Sequence, residues 1–434
     1  MYRPSIEGED MAFDLYVSPE AIRHEDFLLA TYFLELPASV DVMAKGKAFA
    51  VGQTIGTWVE VPGVTDEMRE RHSGRVVTVI QVPPIDVDGP EPPERLGYLL
   101  TIALPTVNFG ANFPMMFTTL LGNDASTSVT AKLVDVQLPD SLAEEFGGPR
   151  FGMEGVRDLV GVHDRPLLLN MIKPCTGLSP EAGAAIFREV AMGGIDLIKD
   201  DELLGNPPFS PIADRVKAYT QAARQAFEET GHETVYICNV TDSPERVMDN
   251  AHRAVDAGAR AIMVTYATVG YGAVQGLAAE IDVPILGHFA GSAVYYEGPT
   301  SGTTAALASG LFPRLAGCDL VLMTTPFGGY PLRRLSYLQI AQAISNARPG
   351  VRPAMPVIGG GVHPGTVKRY MDDLGTDIVL GAGGAIAGHP DGPAAGVRAF
   401  HQAITAVQEG TDLHDAARGH SELRAAIALW GVQD

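Results

Sequence analysis

Basic side chains are scarce in this 434-residue chain: 31 lysines and arginines face 52 aspartates and glutamates, a formal net charge of −21. Nucleic acid and anionic membrane both call for clustered lysine and arginine, so neither is expected as a partner. Cysteine is scarcer still. Cys175, Cys238 and Cys318 are far apart, with neither metal-ligand nor paired-redox spacing. They suit a reducing cytoplasm, each as a small packing residue. No uninterrupted apolar run reaches the roughly eighteen residues of a membrane span. Residues 1–14 are polar and acidic rather than basic then apolar, so no secretory signal is expected. Internal repeats and low-complexity tracts are also missing. With 46% hydrophobic residues over this length, the chain can bury a large core and favours two domains.

The periodic part begins at Pro166. Short apolar runs occupy 167–173, 195–199, 235–240, 261–265, 284–288, 320–324, 356–359 and 378–381. Between them, alanine-rich stretches at 180–192, 212–230, 244–258 and 302–316 carry helical apolar spacing. Eight buried strands alternating with helices predict an α/β fold with a C-terminal (β/α)8 TIM barrel, an open doubly wound sheet being the alternative. Residues 1–145 lack this strict alternation and read as a separate N-terminal α+β, ferredoxin-like domain. The join falls between 140 and 160, around Gly147-Gly148-Pro149, so that 146–434 is the catalytic barrel with a helical tail from Pro393.

The second barrel strand ends in Lys199-Asp200-Asp201-Glu202. Three adjacent carboxylates repel one another, and a fold that tolerates them usually supplies a cation; the alternative is a solvated acidic turn. Alternation along a strand places Lys199 and Asp201 on one face, with Glu202 able to turn in beyond the strand end. The other strand ends deliver Lys173, Asn239 and His288, at the barrel end where such folds assemble their sites. Lysines beside an acidic cluster can be mere charge balance. A lysine crowded by cations or apolar walls, however, has a lowered pKa and can move protons. The last two strands carry Gly359-Gly360-Gly361 and Gly381-Ala382-Gly383-Gly384, which read as backbone approach to a phosphate or as tight turns.

The runs Ile172-Lys173-Pro174-Cys175-Thr176-Gly177-Leu178-Ser179 and Gly193 to Glu202, with Gly287-His288 and Gly388-His389-Pro390, resemble the large subunit of ribulose-bisphosphate carboxylase. The similarity runs from Gly56-Thr57-Trp58 to the final glycine cluster. The resemblance implies that Lys199 is carbamylated by carbon dioxide and holds Mg2+ together with Asp201 and Glu202. It further implies that Lys173 is the base, that His288 contacts substrate, and that Thr57 and Trp58 help hold a phosphate, for which the glycines 359, 360, 361, 383 and 384 are the other candidates. Asn123 would reach in from the neighbouring subunit of a homodimer.

Several positions depart from the carboxylase pattern. Cys175 replaces a second lysine, Phe289 an arginine, Gly359 a serine and Gly52 a glutamate. The loop after the sixth strand, Thr324-Thr325-Pro326-Phe327-Gly328-Gly329-Tyr330, has no lysine. Carboxylation of ribulose bisphosphate is therefore not expected, and the chain is similar to the RuBisCO-like, form IV proteins. Phe289, Phe327 and Tyr330 either shape the pocket for a less charged substrate tail or pack the loop.

The resulting expectation is Mg-dependent enolisation of a phosphorylated ketose or keto sugar acid. Decarboxylation of a 3-oxo-isoapionate 4-phosphate type substrate is the first reading. Transcarboxylation with hydrolysis of that substrate, and enolisation or isomerisation of a methylthio-sugar phosphate in sulfur salvage, are the alternatives. A catalytically idle regulatory protein is the reading from outside enzymology. Against it stands the joint retention of Lys173, Lys199, Asp201 and Glu202.

Overall fold

The structure, a computed structural model, describes residues 16–22, 25–57, 61–87, 93–128 and 130–433. The chain divides into two compact units. One runs to Phe146 and takes in Val294–Thr304; the other comprises Gly147–Ala293 and the chain from Ala305 onward.

In the first unit, β1 (Phe27–Pro37), β2 (Arg75–Val82), β3 (Arg95–Pro105) and β4 (Ala131–Gln137) form a sheet in the order β4-β1-β3-β2. β1 pairs antiparallel with both β3 and β4, and β2 with β3. Alternate residues of β1 are buried, the period-two pattern of a strand covered on one face. Helix Val42–Gly52 connects β1 to β2, with the short helix Asp66–His72 after it, and Phe113–Leu120 lies between β3 and β4. Their first turns are capped by Asp41 and Asn112, whose side chains accept from backbone N–H groups. This βαββαβ order is the ferredoxin-like arrangement.

In the second unit, the strands are β5 (Leu167–Met171), β6 (Leu197–Lys199), β7 (Val235–Asn239), β8 (Ala261–Thr265), β9 (Ile285–His288), β10 (Leu320–Thr324), β11 (Met355–Gly359) and β12 (Val379–Ala382). All pair in parallel, and β9–β10 and β12–β5 contacts close the barrel. The strands are buried nearly throughout because the barrel interior covers one face and the helices the other. Leu169, Leu197, Ile237, Met263, Leu286, Leu322 and Val357 belong to the interior cluster, and Val156 and Val160 of helix Gly152–Val160 pack into it. Arg165 donates twice to Asp196 at 2.8 Å. Burial alone would raise that carboxyl, but the Arg165 hydrogen bonds and charge help hold it down at about 2.

The eight expected strands appear with boundary shifts of at most two residues. The stretch 302–316 is a correction. Gly302–Thr303 is a two-residue strand parallel to β4, and helical turns begin only at Ala305, continuing through Leu307–Leu311 and Phe312–Leu315. At Gly302 φ is +70°, and a Cβ there would meet the Tyr295 carbonyl oxygen at 2.1 Å. The position needs glycine in a turn and cannot open a helix. The tail from Pro393 is helical as expected, in Pro393–Gln408, Leu413–Gly419 and Ser421–Trp430. Among the described residues, no helix is long and apolar enough to cross a membrane.

Candidate active site

β6 is only three residues long, and its last residue, Lys199, is fully buried. Beyond it the chain keeps alternating, so consecutive acids point to opposite sides. Asp200 turns away from the barrel axis toward helix Ile212–Thr230. There it accepts from Arg215 Nε at 3.2 Å, the Tyr236 hydroxyl at 2.7 Å and the Asn239 N–H at 2.9 Å. Arg215 also donates to the Gly205 carbonyl at 2.8 Å. Burial alone would pull the guanidinium down, but Asp200, Tyr236 and Cys238 together outweigh it and hold Arg215 above its ordinary value. Only two of the three carboxylates therefore belong to the mouth of the barrel. The cation that makes the acidic run tolerable includes an arginine supplied by the chain.

Asp201 accepts from Lys173 Nζ at 2.7 Å through Oδ2 and from the Leu203 N–H at 3.2 Å through Oδ1. Glu202 Oε2 lies 3.8 Å from Lys199 Nζ and 3.3 Å from His288 Nε2. Asn239 steadies this turn by donating to the carbonyls of Asp201 and Glu202, at 3.3 and 3.2 Å. Its own oxygen accepts from the Thr241 N–H and hydroxyl. His288 Nδ1 accepts from the Ala290 N–H at 3.1 Å, which in the neutral ring leaves the proton on Nε2, facing Glu202. Burial keeps His288 below its ordinary value, and the histidine contact holds Glu202 well below the usual carboxylate range.

The two lysines differ. Lys199 donates to the Asp200 carbonyl at 2.9 Å, and its burial pushes the amine down despite the carboxylates near it. For Lys173 burial also acts downward, but Asp201 and Cys175 together outweigh it and hold the amine above its ordinary value. The expectation of a lowered lysine thus applies to Lys199. In the ion-free state Lys173 is held as an ammonium. A Cβ at Gly383 would come within 3.1 Å of Lys173 Cε, so that glycine leaves the lysine its path.

The glycines after β11 have a packing role. φ is +94° at Gly360 and +73° at Gly361. Cβ atoms there would stand 2.4 Å from Tyr330 Cε2 and 2.4 Å from Gly328 Cα. The loop after β10 lies directly on this turn, which gives the tight-turn reading its physical ground. A Cβ at Gly359 would meet Leu322 at 3.3 Å, whereas Gly384 faces open space. Phe327 packs in the same loop against Tyr337 and Tyr370, with the Arg369 guanidinium 4.7 Å from its ring centre. Loop packing therefore accounts for Phe327. Phe289 instead packs on the barrel interior and stacks on His288, ring centres 4.9 Å apart.

Lys173, Lys199, Asp201, Glu202, His288 and Gly383 thus come together at the C-terminal end of the barrel. Thr57 and Asn123 belong to the other unit. The Thr57 carbonyl accepts from Arg69, and the Asn123 carbonyl from the Thr127 hydroxyl at 2.6 Å. Trp58 lies outside the described residues. The sequence reading missed Arg215 and Tyr236. The signal was present, since Arg215 shares the apolar stripe of Ile212, Val216, Tyr219, Ala222 and Ala226, all buried.

The model of the ribulose bisphosphate carboxylase large chain, catalytic domain, matches residues 152–331 and 341–430. The chain belongs to the RuBisCO large-chain family. Within the family it is an enzyme of the RuBisCO-like group. It is 40% identical to a ribulose bisphosphate carboxylase-like protein of Archaeoglobus fulgidus, over 95% of each chain. It is 36% identical to the 2,3-diketo-5-methylthiopentyl-1-phosphate enolase of Geobacillus kaustophilus, over 93% of this chain and 98% of that one. The crystal structure of a rubisco-like protein from Alicyclobacillus acidocaldarius superposes with a TM-score of 0.86 at 35% identity, over 94% of this chain and all of the other. These relatives support the sulfur-salvage enolase, which the sequence reading had held as an alternative to decarboxylation.

Proposed function

We propose that the protein enolises a phosphorylated ketone, with 2,3-diketo-5-methylthiopentyl-1-phosphate as its substrate. The observation that carries this reading is the Lys173–Asp201 contact at 2.7 Å beside Lys199, Glu202 and His288. It sets a proton-transfer amine against a carboxylate pair at one barrel mouth. The named enolase relatives supply the substrate, and Phe289, where the carboxylase pattern has an arginine, suits an uncharged methylthio end.

Among the described residues, no three or more His, Cys, Asp and Glu side chains are grouped to hold a metal ion. The donor set fits magnesium once Lys199 contributes. Asp201 and Glu202 offer hard oxygen ligands on consecutive residues, and burial favours the neutral Lys199 amine, the form to which carbon dioxide adds. Carbamylation would turn that amine into a third oxygen donor. Bound there, magnesium supplies positive charge that lowers the cost of negative charge on the ketone oxygen. With Asp201 engaged as a ligand, Lys173 would lose the carboxylate contact that helps hold it as an ammonium and could give its extra proton to solvent. The neutral amine would then take the proton from the carbon beside the carbonyl. His288 presents its Nε2–H at the same mouth, as a hydrogen-bond donor to a substrate oxygen. The substrate phosphate is assigned to Gly383 and Gly384 with Gly359, Gly360 and Gly361.

Decarboxylation of a 3-oxo-isoapionate 4-phosphate type substrate is the second reading, supported by the Lys173 ammonium. Loss of carbon dioxide leaves an enolate that needs a proton donor, which Lys173 is in the ion-free state. Both substrates should be tested in deuterated buffer with magnesium and bicarbonate. Deuterium entering the diketone phosphate without carbon dioxide release is the expected result. Carbon dioxide from the keto acid phosphate would select the decarboxylase, and no exchange or release with either compound would remove both readings.

A homodimer is part of this proposal, with Thr57, Trp58 and Asn123 of one subunit completing the partner's site. It rests on the family resemblance. Mixing inactive Asn123→Ala chains with inactive Lys173→Met chains should recover up to about a quarter of full activity per site, the fraction expected for random pairing with both lesions in one shared site. If every mixture stays inactive, each subunit carries a complete site.

A further inference from the structure

Cys175 stands where the carboxylase pattern has a lysine. Its residue number is two beyond Lys173, in the segment that leaves β5 at the barrel mouth, and its thiol is half-buried. Lys173 Nζ donates to Cys175 Sγ at 3.0 Å as well as to Asp201 at 2.7 Å. Gly383 leaves the space through which the Lys173 side chain reaches both acceptors. The lysine thus has a divided anchorage, with one acceptor on its own loop and one in the carboxylate pair.

We propose that Cys175 is a positioning residue: its sulfur holds the Lys173 amine in place when Asp201 is engaged elsewhere. The inference rests on the reading of Lys173 as the proton-transfer group. An unbranched lysine side chain has four rotatable bonds, and an amine released from its carboxylate would otherwise sample rotamers that point away from the substrate carbon. Displacement by about an ångström is enough to cost about a hundredfold in rate. A sulfur acceptor suits the task because its hydrogen bond is weak enough to let the amine shift toward the reacting carbon. The lysine of the carboxylase pattern would offer no acceptor in its ammonium form.

Two measurements test this. The first reads the contact independently of turnover. o-Phthalaldehyde bridges a neighbouring amine and thiol into a fluorescent isoindole, so the intact protein should give this signal both with and without magnesium and bicarbonate. Cys175→Ala and Lys173→Met should abolish it. The second is steady-state kinetics with the diketone phosphate. Cys175→Ala should lower kcat about ten- to a hundredfold with KM little changed, and Cys175→Ser, which keeps an acceptor, should recover part of the loss. Failure of isoindole formation in the magnesium-loaded protein overturns the inference. So does full kcat in Cys175→Ala alongside an inactive Lys173→Met, a result that leaves the reading of Lys173 standing. Retained activity in Lys173→Met would remove that reading and the role of Cys175 with it.

Discussion

Lys173→Met is expected to lower solvent exchange and kcat by about 10²–10⁴-fold, the range for loss of a positioned acid–base group. The same substitution is expected to tighten magnesium binding. In the native protein Lys173 occupies Asp201 Oδ2 at 2.7 Å, so an ion binding there displaces an ammonium, and methionine removes that competitor. Opposite effects on rate and metal affinity distinguish a proton-transfer lysine from a structural one, whose loss would weaken both. Magnesium titration in bicarbonate buffer, run beside the exchange assay, gives both numbers. Exchange within about threefold of wild type would rule out Lys173 as the base, since even the weakest acid–base contributions exceed that.

Arg215→Met is expected to cost about 3–5 kcal/mol of stability, the usual penalty for leaving a buried charge without its partner. Arg215 and Asp200 are both essentially inaccessible, and Asp200 would retain the Tyr236 hydroxyl and the Asn239 N–H but no cation. Denaturant unfolding measures the loss. Adding Asp200→Asn should return part of it, because the remaining group is then neutral, and this coupling separates lost charge pairing from lost packing. Asp200 lies between the proposed metal ligands Lys199 and Asp201, so the single variant should also bind magnesium more weakly than wild type. If Arg215→Met unfolds at the wild-type denaturant midpoint, Asp200 does not depend on the arginine for its charge.

The barrel was legible because its strands are covered on both faces and therefore appear as short continuous apolar runs, separated by helices with 3.6-residue spacing. That pattern survives without knowledge of any contact. Only the start of the stretch 302–316 was misread, because alanine-rich composition outweighed one glycine. The structure uses Gly302 at positive φ and pairs it and Thr303 with β4, in the sheet of their own unit. Side-chain direction was readable only where a strand imposes it. Alternation put Lys199 and Asp201 together, but it said nothing of what receives Asp200 on the opposite side. Likewise, the glycines after β11 announced a close approach without naming the partner, which includes the protein's own loop at Gly328 and Tyr330.

Local chemistry and periodicity determined the architecture and the end of the barrel that carries polar groups, while the departures at Cys175 and Phe289 were visible only through the resemblance to the carboxylase family. Tertiary structure alone decided which charges pair. Arg215 neutralises Asp200, His288 meets Glu202, and Lys173 is shared between Asp201 and Cys175. The reason is physical. Backbone periodicity acts over a few residues, whereas these partners are brought within hydrogen-bond range by barrel closure and by a loop end, and the energy of a charge depends on distances and burial that no linear spacing contains.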